Sequence, residues 1–525
     1  MTTTFQLFLC YSIVLLSFEN YTAAVNFNCP TQPISGQSGV FPSDVLNLTT
    51  FPSNYNCEFK FQIEDGYVYK LTVVANVTAG SGDQIVVTDV LGKQEIITDV
   101  RSLIIVPAKS ASLKITSGQG TAQFFFKYDY TYVGALQQKV LPTGSPLQLT
   151  ITALQTYTFI SPNNDNVVIN TANIENIGFT DWSLQNIFVY DGPDVYSPFV
   201  GNLYHYVTSP TLVKSSGNAT TLANFYGIET HSYAIANDYK KIYTYDTYTF
   251  VAYNSEVTIP RYFRHGISNA YTFYNTMYDS VFLTDIGFGP NGMKADVRPL
   301  TPSDESKFYL EYVNGGPYKR SLPQMIPGKL FTMVTMGPEL TFTLSHVSST
   351  WLSPYNGRMG KVFSSSLWNP GETSRFNYTF ESTELMTFKF NFDSVIIHQA
   401  GEQVQCKVGR PGVDPVSVTF SHSVVNPGVR IANGTYLTTS YLGDSPFSSA
   451  IISFEMYNAD DTLPTTSVPG TTNSLGTTSA FDTTTKIGTT HSVGTTGAYE
   501  TTTKVGSMDS FVILGVFVAA VLMFL

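Results

Sequence analysis

This chain is poor in charge and in cysteine. Only 13% of its 525 residues are charged, and Lys plus Arg number 28 against 39 Asp plus Glu, a net charge of −11. Nucleic acid and anionic lipid surfaces both require basic patches, so neither is an expected partner. No G-x-S-x-G elbow is present, nor a glycine loop carrying the lysine of a phosphate cradle. The histidines are scattered at His205, His231, His265, His346, His398, His422 and His491. No two have the i, i+4 spacing of a zinc helix, and little of the chain reads as helix. Together these absences predict no catalytic residue, no metal and no cofactor.

What the chain does have is aromatic side chains, 33 Tyr and 37 Phe. Aromatic and β-branched residues fit a pleated, half-buried surface, and here they alternate with polar ones. In 122–133, Phe124, Phe126, Tyr128, Tyr130 and Tyr132 fall on one face at period two. Glycine and proline turns separate such runs throughout, so the pattern predicts an all-β protein of tandem antiparallel sandwich modules.

The two ends read as addresses. Phe5 to Phe18 is apolar and is followed by Thr22-Ala23-Ala24, a small-x-small site, so 1–24 is expected to be a signal peptide that leaves with Cys10. No Lys or Arg precedes the apolar run, a departure from the usual pattern. Residues 511–525 form a second apolar run. As a helix they would reach roughly 22 Å, against roughly 30 Å of bilayer hydrocarbon. A terminal tail of this kind fits a glycolipid (GPI) signal with Gly506 or Ser507 as the attachment residue, or else a single transmembrane helix. Either would tie the protein to a membrane. Between core and tail, 462–507 is rich in Thr, Ser and Gly. It repeats GTTSAFDTTTKIG (476–488) as GTTGAYETTTKVG (494–506), the composition of an extended O-glycosylated stalk or a plain linker.

N-glycosylation sequons stand at Asn47, Asn76, Asn218, Asn377 and Asn433. In an oxidising compartment Cys29 and Cys57 are expected to pair, leaving Cys406 as a small buried hydrophobe.

Turn signals divide the ectodomain into modules at 26–133, 134–254, 255–355 and 356–460. In the first, Leu103–Val106 ends at Pro107 and EDGY reads as a turn. The second is expected to open with one strand over 147–160 and to close with the run KIYTYDTYTFVAY (241–253). That run lies about 120 residues after the closing run of the first module, as in a weak internal repeat. The last two modules carry no motif that names their family.

The first module resembles the nematode CUB-like domain family. The matching features are Cys29 with Pro30, the second cysteine in NYNCEFKFQI, EDGY, SGDQIVVTD and FFFKYDYTYV. In the second module, Ile187 to Gly227 resembles the later half of a CUB domain through VYDG, a loop with SP, and SSGN. The resemblance implies CUB-like jelly-roll sandwiches in a secreted or cell-surface protein, many relatives being associated with the response to infection. Many CUB domains also hold calcium. Here Gln185 stands where one acidic ligand would fall, no Asp directly follows Phe225, and Asp191 alone cannot supply six to eight oxygens. Asp83 and Asp89 are similarly isolated, and all three read as turn residues.

The leading expectation is a tethered ectodomain that binds an extracellular protein or glycan in innate defence. A structural surface-coat glycoprotein without a specific ligand is the second reading, and an ectoenzyme the third.

Overall fold

The computed structural model describes residues 25–460, apart from 44, 46, 78–80, 99–100, 120–121, 151–154, 260–267, 290–293, 305, 338–339 and 374. The expected signal peptide, stalk, tail and attachment residues Gly506 and Ser507 lie outside the described residues.

Among the described residues the chain is all-β, and its longest helix, Leu203–Thr208, has 6 residues. Residues 34–132 build one 8-stranded sheet; 137–238 build a 5-stranded and a 3-stranded sheet. A 5-stranded and a 4-stranded sheet follow over 247–345, and a 7-stranded sheet over 359–458. Pairing is antiparallel except where Ile34–Ser35 joins Asn56–Asn76, Gln137–Pro142 joins Gln155–Ile160, and Thr247–Tyr253 joins Ser268–Asn275.

Period two builds the first core. In Asn56–Asn76, Cys57, Phe59, Phe61 and Ile63, then Tyr69, Leu71, Val73 and Ala75, all enter one cluster. The aromatic strand Gln123–Tyr132 supplies Phe124 and Phe126 to the same core, with Tyr128 and Tyr130 packed against it. Tyr132 is the exception on that face and stays 50% exposed. Phe51 stacks on Phe124 at 3.6 Å and Tyr67 on Tyr130 at 4.3 Å, arrangements that add to plain area burial.

Four local expectations are corrected. EDGY is not a turn between strands. Asn56–Asn76 runs through it, and the ladder shifts between Ile63↔Lys109 and Val68↔Pro107, a bulge that absorbs the extra residues. Pro107 does not end a strand either, since Arg101–Thr116 is continuous. It lies at the same irregularity, where proline's missing N–H is tolerated. The run 147–160 is divided between Pro146–Gln148 and Gln155–Ile160, which belong to different sheets. Leu147 and Phe159 reach one core from the two layers. Finally, Thr247–Tyr253 pairs with Ser268–Asn275 and not with any strand of the second sheet pair. Val251 and Tyr253 enter the third core, while Phe250 and Ala252 pack with Ala172 and Ile235 of the second. It is therefore not the counterpart of Gln123–Tyr132.

Two buried charges tie loops to the last sheet. Arg358, 1% exposed, donates to the carbonyls of Thr350 (2.9 Å), Ser353 (2.6 Å) and Trp351. The rings of Trp351, Tyr355, Phe380 and Phe454 surround its guanidinium at 5.4 to 5.9 Å. Glu402, 3% exposed, accepts the N–H of Ser445 at 2.9 Å and of Gln399 at 3.2 Å, and the Ser448 hydroxyl. Burial alone would raise its pKa, but these hydrogen bonds outweigh it and hold the carboxyl below its ordinary value. The folded protein then binds this proton less readily than the unfolded chain, so the contribution is present at neutral pH and is lost as pH falls. Thermal midpoints measured from about pH 7 to about pH 3 are expected to drop below the usual Glu range, near about 4.3. Glu402→Gln should lower the neutral midpoint and flatten that acid limb. Parallel pH curves for the two proteins would contradict this role.

Candidate ligand cleft between the first two modules

An apolar seam joins the first sheet to the second pair. Val68, Ile105 and Val133 meet Phe188, Tyr190, Val195, Ala223 and Phe225. Gly66, two residues before Val68, has φ 81°, and its carbonyl accepts the N–H groups of Val133 (2.8 Å) and Gly134 (3.2 Å). The ring of Tyr196 lies where a Cβ on Gly66 or Gly134 would be, and its hydroxyl meets that of Tyr132 at 2.6 Å. Tyr226 crosses the seam to accept the Ile105 N–H at 3.0 Å. Burial pushes the Tyr226 pKa up to about 12, so it remains a neutral hydroxyl.

Beside this seam opens a cleft of about 740 Å³. Ile104, Val106, Phe188 and Tyr226 are its buried or half-buried lining. Leu91, Leu103, Val200 and Ile228 line it too and are exposed. Two outer strands border it: Gln94–Ile96 ends the 8-stranded sheet, and Phe199–Asn202 ends the 5-stranded one. All four residues of Phe199–Asn202 line the cleft. An outer strand presents backbone N–H and C=O groups on its open side.

Polar groups are concentrated around this apolar surface. Asp89 Oδ1 accepts the N–H groups of Leu91 and Lys93, each at 2.9 Å, which fixes the hairpin turn that presents Lys93. Asn202 caps Leu203–Thr208 and pairs with His205 Nδ1 at 2.8 Å. Partial burial, then the positive charge of Lys93, hold the His205 pKa below its ordinary value, with Asp89 opposing. The ring is therefore neutral at physiological pH, and Asp89, Lys93 and Glu95 carry the rim's charge.

The residues singled out in the sequence fall as follows. Cys29 and Cys57 are disulfide-bonded, with their Cα atoms 5.6 Å apart. Cys406 is free and fully buried in the last core, and burial pushes its thiol pKa up, as befits an inert apolar side chain. Asn47, Asn76, Asn218, Asn377 and Asn433 are all exposed. Asp191 accepts the Ser216 N–H at 2.8 Å and so braces the SSGN loop, while Asp83 accepts the Gly118 N–H at 2.6 Å. Each carboxylate thus braces a loop distant in the chain, 25 residues away for Asp191 and 35 for Asp83, and does not cap its own turn through these bonds. Asp89 and Gln185, from different modules, line the same cleft, a juxtaposition no local pattern could reveal. Among the described residues no three His, Cys, Asp or Glu side chains gather as a metal site would require.

The family model of the CUB-like domain matches residues 23–133. Residues 23–133 are a CUB-like domain. Such domains are typically non-catalytic, extracellular protein-interaction modules. Among solved structures, the CUB1-EGF-CUB2 region of human MASP-1/3 is similar at 12% identity, over 38% of this chain and 100% of that one, with TM-score 0.16. The corresponding region of rat MASP-1 is similar at 8% identity, over 60% of this chain and 99% of that one, with TM-score 0.17. Likeness at this level carries no function across. No curated protein matches the sequence.

Where the CUB-like domain meets the sheets that follow, Gly66 combines a left-handed backbone with the aromatic ring of Tyr196 against its Cα. Gly92 has φ 78° but nothing within 4 Å of an added Cβ. Gly92→Ala should cost about 1 kcal/mol, from backbone strain alone. Gly66→Ala should cost about 2 to 3 kcal/mol, because Tyr196 must also move. Urea denaturation of both variants reads the difference, and equal losses would remove Tyr196 from the account.

Proposed function

We propose that this protein is a cell-surface binding ectodomain whose ligand is an extended segment of another extracellular protein, held in the cleft between the CUB-like domain and the module after it. The carrying observation is that the outer strand Phe199–Asn202 lines the cleft along its whole length. A peptide laid beside it would gain main-chain hydrogen bonds, while its alternate side chains would reach the apolar lining. Lys93 and Glu95 at the rim would set polarity and register. The ectodomain is read as four modules, at 26–133, 134–254, 255–355 and 356–460.

The cellular setting is part of the same proposal. The five sequon asparagines are exposed in the fold, as glycan carriers must be. The Cys29–Cys57 bond suits an oxidising compartment. With the apolar runs at 5–18 and 511–525, these support a secreted glycoprotein tethered through its tail, by GPI at Gly506 or Ser507 or by a single span. A role in innate defence rests on the resemblance of the first module to proteins associated with infection.

Peptide-display selection on the purified protein tests the ligand class. Enriched sequences should alternate apolar and polar residues, and Leu91→Glu or Leu103→Glu should weaken them about tenfold or more without changing the thermal midpoint. A selection with no enrichment, or one insensitive to both substitutions, would leave the structural-coat reading in its place. Phosphatidylinositol-specific phospholipase C should release the intact protein from cells if the tether is a lipid, and leave it bound if it is a span.

A further inference from the structure

A second cavity, of about 480 Å³, lies between the segment 308–324 and the last sheet, and it shares no residue with the first cleft. Its volume is in the range of small-molecule sites, roughly 300 to 1,000 Å³. Aromatic rings form much of its surface. Phe308 is 49% exposed, Tyr318 is half-buried, and Phe390 and Phe454 are buried.

The polar groups here are unusual in what they leave undone. Tyr312 lines the cavity at 2% exposure, and its hydroxyl has no hydrogen-bond partner among the described residues. Asn391 also lines it. Its amide nitrogen donates to Asp393 at 2.9 Å and to Asn426 at 3.0 Å, but its buried carbonyl oxygen has no partner. An unsatisfied buried polar atom costs about 1 to 3 kcal/mol, so each is a place where a ligand atom gains more than a surface contact would give. One can donate or accept, and the other accepts.

Charge narrows the ligand further. Lys389 Nζ pairs with Glu455 at 2.8 Å, the Tyr457 hydroxyl donates to the same carboxylate, and Lys361 Nζ lies 3.4 Å from Asp393. Glu311, also on the wall, shares Lys294 Nζ with Asp296 at 3.1 Å each, so every charged side chain lining the cavity already has a partner of opposite sign. What fits is a neutral molecule with paired donors and acceptors along its edges and a flat apolar C–H face for the rings. We propose that this cavity binds a neutral oligosaccharide, with Phe308 and Tyr318 taking a pyranose face and Tyr312 and Asn391 taking its hydroxyls.

The test is calorimetric titration of the full-length protein with maltotriose, cellotriose and tri-N-acetylchitotriose. At least one should bind saturably. Phe308→Ala and Tyr312→Phe should each weaken it about fivefold, the worth of an aromatic contact or one hydrogen bond. Tyr312→Phe removes an unsatisfied buried hydroxyl, so its thermal midpoint should stay level or rise, which separates lost binding from lost folding. Leu103→Glu, in the first cleft, should leave sugar affinity unchanged. No saturable heat with any of the three sugars, affinity in both cavity variants unchanged from the unsubstituted protein, or loss of sugar binding in Leu103→Glu would each overturn the assignment. So would saturable binding of an alternating apolar peptide that is sensitive to Phe308→Ala while the sugars stay silent.

Discussion

The arrangement of the first two modules depends on a bulge. At Gly66 the chain takes a left-handed conformation, which turns its carbonyl onto the N–H groups of Val133 and Gly134 just past the end of the aromatic strand. Neither glycine has a side chain, so the ring of Tyr196 from the next module can lie against both. That contact, with Val68 and Val133 on one side and Phe188 and Phe225 on the other, removes apolar surface from water only in one relative placement of the two modules. The cleft exists because that placement is fixed. Its lining comes from both sides, and a hinge there would dissolve it.

The later junctions are built by the same logic with different parts. Thr247–Tyr253 is buried on both faces, giving Val251 and Tyr253 to one core and Phe250 and Ala252 to another. Although it ends its own sheet, it is covered from both sides. Near the third junction, Arg358 keeps its charge away from water without a carboxylate. Three carbonyls and four aromatic rings stand in for one. Truncating one partner of such a buried charge leaves the charge without compensation, so Arg358 and its cage function as a unit. Neighbouring sheets are therefore joined through shared apolar clusters as well as through the chain.

The alternation of aromatic and polar residues was enough to read the fold class, the first core and the burial of Cys406. It works because each strand needs only its own two faces to be distinguished, a local property with period two. The same logic fails where a strand has two apolar faces. TYTFVAY reads equally well as the end of one module or the start of the next, and only the partner strand Ser268–Asn275 decides. EDGY misled for a related reason. Asp-Gly is the residue pair of a tight turn, and a bulge that needs a left-handed glycine uses the same chemistry. The cleft was illegible altogether, since Asp89 and Gln185 are nearly a hundred positions apart and meet only through tertiary packing. Of the three carboxylates read as turn residues, Asp89 holds N–H groups of its own turn, whereas Asp83 and Asp191 hold N–H groups 35 and 25 residues away, partners the local sequence does not show.

The size of the outer strands constrains how the first cleft can work. Phe199–Asn202 has 4 residues and Gln94–Ile96 has 3. At roughly 3.4 Å per residue, neither offers more than about 14 Å of ladder, enough for a few main-chain hydrogen bonds at about 1 kcal/mol each. Such a ladder sets direction and register, but its sum is easily consumed by the entropy of ordering a loose peptide. The larger share of affinity must come from apolar side chains reaching Leu91, Leu103, Val200 and Ile228 and the lining between them. Short outer strands also limit unwanted pairing between copies of the protein, which long, flat edges invite. A brief ladder flanking an apolar cleft admits a partner that supplies the right side chains and gives little to one that supplies only backbone.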